Sequence, residues 1–275
     1  MIEKQRDLAR QFQNMHKQNK MFVLPNVWNA ASAVIFQKEG FKAVATTSAG
    51  VAYSLGYKDG EDIDITDLGL IVEQITRRIS IPLSVDFERG YSEKLDDIKQ
   101  NAKHLLNCGA VGFNIEDGKA DNSLDDIDFM VSKIRALVDL KKEVDIDFVI
   151  NARTCTYWLD VADDENKKQI AINRCNAYRK AGANCVFIPG AMNKDTIKAL
   201  VDNINAPINI ILNPNYHDIE GLSNIGVSRL SVGSGPVRST YSHLINMAKD
   251  LADNNTDIIL NNKFSYNDAN EYFER

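Results

Sequence analysis

A (β/α)8 barrel of the TIM type, with an N-terminal helix and a C-terminal helical extension, is the fold this sequence predicts. Three observations lead there. An amphipathic stretch ending at glycine and giving way to a β-branched apolar run recurs four times: QKEGFKAVATT, LNCGAVGFNI, RKAGANCVFI and SNIGVSRLSV. Glycine just past a helix ends it in the left-handed conformation, and a short apolar run after it reads as a strand buried on both faces. Further apolar runs bring the strands to eight, with helical periodicity between them and no Pro/Ser-rich linker to divide the chain.

Taken in order, MIEKQRDLARQFQNMHKQNK is polar and helical in pattern. The strands are predicted at Phe22 to Leu24, Ala43 to Thr46, Leu83 to Asp86, Gly112 to Ile115, Phe148 to Asn151, Cys185 to Ile188, Ile208 to Leu212 and Arg229 to Val232. LGLIVEQITRRI, IDFMVSKIRALVDL and KKQIAINRCNAYRKA carry the clearest helical pattern between them. The barrel is expected over about 20–248 as one domain, followed by an extension, 249–275, whose apolar residues cover a neighbouring surface. A doubly wound open sheet is the competing topology.

Composition narrows the function. Hydrophobic residues at 44% and charged residues at 25% are those of a globular protein. A net charge of -6 without a Lys/Arg cluster argues against a nucleic-acid or membrane partner. Cys108, Cys155, Cys175 and Cys185 form no CxxC pair, so structural zinc is not expected and reduced thiols in a cytoplasm are. The N-terminus does not have the pattern of a secretory signal, and no apolar run is long enough for a membrane span.

Reactive groups in such a barrel stand at the C-terminal ends of the strands. Strand three ends SVDFERGYS, strand four FNIEDG and strand five INART, so Asp86, Glu88, Glu116 and Asp117 are expected on one rim. Carboxylates so close repel unless a divalent cation neutralises them, and an all-oxygen set suits Mg2+, or Mn2+ in its place. Asp86 and Glu88, two apart on one strand, point the same way. Asp117 reads more simply as a helix-capping or rim residue. For anions, the turn at Ser48, Ala49 and Gly50 offers backbone N–H groups, and Arg153 offers a bidentate fork. An ordinary tight turn and a salt bridge to a rim acid compete with these roles.

These residues resemble the phosphoenolpyruvate mutase and isocitrate lyase superfamily, in particular its shorter phosphonomutase-like branch. The resemblance runs from Phe22 to Asn246 and rests on LPNVWNAASAVIFQKEGFKAVATTSAGVAYSLGYKDG, VDFERGYS, GAVGFNIEDG, INART and GVSRLSVGSGPVR in the family's order. It implies that Asp86, Glu88 and Glu116 form the metal set and that Asp59 approaches the metal and its water. Ser48, Ala49 and Gly50 become the substrate-carboxylate cradle, and Arg153 grips the substrate. Lys119 and Asn122 stand in for lid residues. Trp28 and Asn29 fit core packing and helix capping better. The resemblance further implies a homo-oligomer, a dimer or tetramer. Departures are clear. EDGKADNSLDDID has no cysteine where the lyase branch carries one, which disfavours isocitrate and methylisocitrate lyase. Glu88 replaces an Asp, the stretch Gly118 to Ser123 is a shortened lid, and Cys155 stands where the family shows Asp.

The implied chemistry is C–C lysis or decarboxylation beside a small 2-oxo or 2-hydroxy carboxylate through an enolate-like species. Phosphonomutase or phosphonopyruvate hydrolase chemistry at a C–P bond is the alternative. A barrel that binds a 2-oxo acid without turning it over is the third.

Overall fold

The computed structural model describes residues 2–18, 20–159 and 161–274. Helix α1 (Ile2–Lys17) precedes β1 (Phe22–Leu24) and β2 (Asn26–Val27), which together fill the first strand position and are separated at Pro25. The alternation then runs α2 (Ala30–Lys38), β3 (Val44–Thr46), α3 (Ser48–Ser54), α4 (Ile65–Thr76), β4 (Leu83–Asp86), α5 (Leu95–Asn107) and β5 (Gly112–Glu116). It continues with α6 (Ile127–Val144), β6 (Val149–Arg153), α7 (Asp164–Ala181), β7 (Cys185–Ile188), α8 (Lys194–Asn203), β8 (Ile208–Ile211), α9 (Ile219–Ile225), β9 (Arg229–Ser231) and α10 (Gly235–Ala252). Two short helices, α11 (Asp257–Leu260) and α12 (Tyr266–Phe273), form the C-terminal extension.

All pairings are parallel, in the order β1-β9-β8-β7-β6-β5-β4-β3-β2. Since β1 pairs with the last strand and β2 with β3, the sheet closes on itself as a TIM-type barrel. Proline has no N–H to give to a ladder, so the first strand changes neighbour at Pro25. The Asn26 side chain bridges the break, accepting from the Val232 and Gly233 amides (3.0 and 2.8 Å) and donating to the Thr46 carbonyl (2.8 Å).

The repeated glycines behave as their junctions predict: Gly40, Gly109, Gly182 and Gly226 all have positive φ. The core between sheet and helices is aliphatic and aromatic, with Val85, Phe113, Ile134, Leu137 and Ile150 fully buried. The barrel interior is polar instead. Asn151 Nδ2 donates to Asn114 Oδ1 at 2.7 Å, Arg229 Nη2 reaches the same oxygen at 3.4 Å, and Ser231 Oγ meets Asn209 Oδ1 at 3.0 Å. Helix α1 stoppers the N-terminal end. Gln5 donates to the Leu106 and Ala110 carbonyls, Gln13 to Asp147, and the Phe12 ring lies 5.9 Å from the Arg229 guanidinium. Burial, together with Arg229, pushes the His16 imidazole down to about 3, so it is neutral.

Candidate active site

At the opposite end, the C-terminal ends of the strands surround a cavity of about 490 Å3 lined by Ser48, Ala49, Asp59, Asp86, Asn114 and Arg153 among others. Ser48, Asp59 and Arg153 also line an adjoining chamber of about 340 Å3, with Glu61, Glu88, Glu116, Lys119, Asn122 and Cys155. The two spaces share Ser48, Asp59, Arg153 and Trp158.

Asp86 closes β4, where Asn114 Nδ2 donates to one carboxylate oxygen (3.4 Å) and the Ser48 amide to the other (3.2 Å). Its own amide is tied to Thr46 Oγ1. Glu88 lies past the end of β4, at φ +47, so its direction comes from a left-handed turn and not from strand alternation. Tyr91 Oη donates to it at 3.0 Å. Burial, and then the charges of Asp86, Asp59, Glu116 and Glu61, push the Glu88 carboxyl up to about 9. Glu116, the last residue of β5, is pushed up to about 7 by burial, with Arg153 pulling against and Asp86 reinforcing the shift. Asp59 is raised by burial of its carboxyl, opposed by a hydrogen bond from Ser48 and reinforced by Asp86. These acids are therefore near enough to disfavour one another's ionisation.

Arg153, ending β6, pairs with Glu116 at 2.8 Å, and its guanidinium carbon is 5.7 and 5.8 Å from the ring centroids of Trp158 and Phe187. Its buried Nε has no partner. Burial opposes the guanidinium charge, but Cys155, Glu116 and Asp86 outweigh it and hold the pKa above its ordinary value.

Several expectations need correction. Ser48, Ala49 and Gly50 are the first residues of helix α3, not a turn. Ser48 and Ala49 line the main cavity. Gly50 is absent from the lining of either space and packs inward: a Cβ there would come within 2.5 Å of Thr47 Cγ2 and 3.0 Å of Trp28 Cβ. The glycine serves helix packing. The stretch from Gly118 to Leu124 folds as a small antiparallel closure, with the Lys119 amide donating to the Ser123 carbonyl and Asn122 at φ +62. This puts Lys119 and Asn122 at the adjoining chamber, with the Lys119 ammonium 3.7 Å from Asp121. Asn29 caps α2 through a reciprocal pair with Ser32, as expected.

Asp117 is fully buried and structural. It accepts from the Cys155 amide (2.8 Å), Arg174 (3.0 Å) and Tyr178 Oη (2.6 Å). Behind it Lys133 pairs with Asp125 at 2.7 Å and reaches the Glu116 carbonyl at 3.3 Å. Cys155 is buried against Gly118 and its thiol is pushed up by that burial, which supports the reading as a small packed side chain.

Sequence reasoning missed the rest of the wall: Asn26, Asn114, Trp158, Phe187, Asn213, Ser231 and Arg238. Asn114 carried a signal, a lone amide in the middle of an apolar run. Trp158 and Arg238 come from loop and helix segments that strand endings do not reveal.

Among the described residues no group of three His, Cys, Asp or Glu is arranged to hold a metal ion. The donor set nonetheless fits a hard dication. It is all carboxylate, two of its acids are unfavourable as bare anions, and Mg2+ keeps several waters and takes one or two carboxylates in place of a full protein cage.

Barrel and rim together define an enzyme whose polar groups gather where strands end. The chain belongs to the phosphoenolpyruvate phosphomutase family, matched over residues 12–252. An uncharacterized protein of Mycobacterium tuberculosis is 34% identical over 242 residues, 88% of this chain and 89% of that one. The 2-methylisocitrate lyase of Escherichia coli is 30% identical over 201 residues, 70% of this chain and 65% of that enzyme. A lyase/mutase-like protein of Burkholderia cenocepacia superposes with a TM-score of 0.91 at 29% identity, covering 98% of this chain and 97% of its own. The chain is thus an enzyme of the superfamily's lyase or phosphonomutase type. No helix among the described residues is long and apolar enough to cross a membrane.

Proposed function

We propose that this enzyme breaks a C–C bond beside a small 2-oxo or 2-hydroxy carboxylate, by lysis or decarboxylation. The observation that supports it is one cavity lined by Ser48, Asp59, Asp86 and Arg153, the last with a buried, unpartnered Nε. Asp86, Glu88 and Glu116 would hold Mg2+, or Mn2+ in its place. A bound dication supplies positive charge where the substrate's carboxylate and carbonyl oxygens gather negative charge.

The chain's own groups do the rest. Arg153 binds the anionic end of the substrate, and the rings of Trp158 and Phe187 hold its plane fixed and exclude water from one side. Ser48 and Ala49 line the cavity at the start of α3, where the Ala49 N–H meets the substrate carboxylate while the Ser48 N–H holds Asp86. Asp59 stands beside Ser48, its carboxyl pKa raised by burial and by Asp86 and opposed by the Ser48 hydrogen bond. Lys119 and Asn122 complete the set from the adjoining chamber. C–P chemistry on a phosphonate is the alternative, supported by the family's name and by three cations, Arg89, Lys119 and Arg153, lining that chamber. The reading includes one barrel domain, about 20–248, with the 249–275 extension. It also includes a cytoplasmic homo-oligomer. Four free cysteines support a reducing compartment. Helix α10 buries only Val237, leaving Leu244 and Ile245 each 55% exposed, which supports a second copy covering it.

The test is to incubate the protein with oxaloacetate, phosphonopyruvate, phosphoenolpyruvate and methylisocitrate, with Mg2+ and with chelator. Pyruvate release and phosphorus resonances are followed. Metal-dependent pyruvate from oxaloacetate is expected. New phosphorus signals favour the alternative, and tight oxalate binding without turnover of any compound sinks both.

A further inference from the structure

Asp59 and Glu88 arrive at the site on two separate loops, and neither loop is rigid by its own sequence. The first, between α3 and α4, contains Gly56 and Gly60 at φ +84 and +108. A Cβ at either glycine would meet nothing within 4 Å, so they serve backbone conformation and not packing. The second, after β4, contains Glu88 at φ +47 and Tyr91 at φ +58, conformations that cost energy for non-glycine residues and need outside support.

Asn101 Nδ2 donates to the Gly90 carbonyl (3.0 Å) and the Glu116 amide to the Glu88 carbonyl (2.9 Å), and one further side chain ties this loop to the first. Glu61 Oε1 accepts the main-chain N–H of both Arg89 (3.0 Å) and Tyr91 (2.9 Å), while Oε2 accepts from Arg89 Nη2 (3.1 Å). The Glu61 side chain is 11% exposed, and the residue itself sits at φ +61. Arg89 is held from its far side by Glu93 at 2.9 Å. Tyr91, fixed through its amide, places its hydroxyl 3.0 Å from Glu88. Three of the non-glycine residues with positive φ, Glu61, Glu88 and Tyr91, therefore meet at this one junction.

We propose that Glu61 is a positioning residue, a clasp that fixes the Asp59 loop to the Glu88 turn and so sets the distance between two acids of the site. The inference rests on the proposed function for its catalytic consequence, but the clasp itself does not. A carboxylate suits the role because both oxygens accept in one plane, and three donors to charged oxygen outweigh the cost of ordering two loops. Glutamine at this position retains one accepting oxygen for the two amides and turns its NH2 against the Arg89 guanidinium. Alanine retains nothing.

The experiment compares wild type, E61A, E61Q and R89A by amide hydrogen exchange and by Mn2+ affinity measured through its paramagnetic resonance signal. In E61A, exchange is expected to rise together over residues 57–62 and 88–91, and Mn2+ affinity to fall about tenfold, the usual cost of losing support behind a ligand. E61Q should recover part of both, and R89A, which leaves the two amide bonds intact, should change less than E61A. A rise in one segment without the other overturns the clasp, as does an E61A variant with wild-type exchange. Equal Mn2+ affinity in E61A and wild type, where wild type binds, also overturns its role at the site. Neither readout uses turnover, so a wild type inactive on every substrate tested counts against the reaction, while exchange still decides the clasp.

Discussion

Two groups of acids lie on either side of the end of β5, and they are built in opposite ways. Asp117, on the outer side, accepts from Arg174, Tyr178 and a main-chain amide, and neighbouring Asp125 is paired with Lys133. On the inner side, Asp86, Glu88, Asp59 and Glu116 share one arginine, a tyrosine hydroxyl and few amides, so Glu88 and Glu116 are pushed up to about 9 and about 7. Asp86 and Glu88 are buried much as Asp117 and Asp125 are, whereas Glu116 is half-buried and Asp59 exposed. The number of donors separates an acid that holds the fold from one left in want of a cation.

Substitutions can break this comparison. The largest effect is expected from Asp86→Ala, which should lower turnover by roughly a thousandfold, as expected when a charge-stabilising group of several kcal/mol is lost, with the thermal midpoint nearly unchanged. Activity near wild type in a folded Asp86→Ala protein would remove the inner group from the chemistry. Asp117→Ala should do the reverse and cost about 3 kcal/mol in urea unfolding, because it strands Arg174, the Tyr178 hydroxyl and the Cys155 amide. An equally stable Asp117→Ala protein would show that the outer network does not hold the fold.

Protons sharpen the same contrast. Because metal binding requires ionised carboxylates, Mg2+ affinity should rise as pH is raised from about 6 through the Glu116 and Glu88 values near 7 and 9. Calorimetry in buffers of different ionisation enthalpy should detect the released protons, and an affinity flat over this range would contradict the raised values. Without metal the sign is opposite. Glu88 binds its proton more tightly folded than unfolded, so stability is greatest below its ordinary value of 4.5 and falls as pH rises towards about 9. Glu88→Gln removes that slope. The metal-free variant should then be more stable than wild type at pH 9, a difference readable by thermal denaturation.

The barrel was legible because its signals are local. Apolar runs of four or five residues and helix-ending glycines such as Gly182 need no knowledge of distant partners, and β4 to β9 lie within a residue or two of where the runs stand. The rim acids were legible for the same reason, since a strand's last residue is named by where its run stops. What escaped depends on contacts across the chain. Ser48 opens a helix and not a turn where Thr47, Trp28 and Val237 pack around Gly50. Asp117 read as a possible cap because its partners, Arg174 and Tyr178, lie on α7, beyond the next strand. The polar interior hid inside apolar runs, as a single Asn in GFNIE or INII is easily taken for a fault in the pattern.

The break at Pro25 bears on how the molecule is made. The join between the first strand and the last is completed by one amide side chain reaching across 207 residues of sequence, from Asn26 to Gly233. Closing so long a loop is entropically the dearest step of assembly. During synthesis the first strand waits, one edge unmatched, until Arg229–Ser231 leaves the ribosome, and for that interval the nascent chain is an open sheet in need of protection from its neighbours.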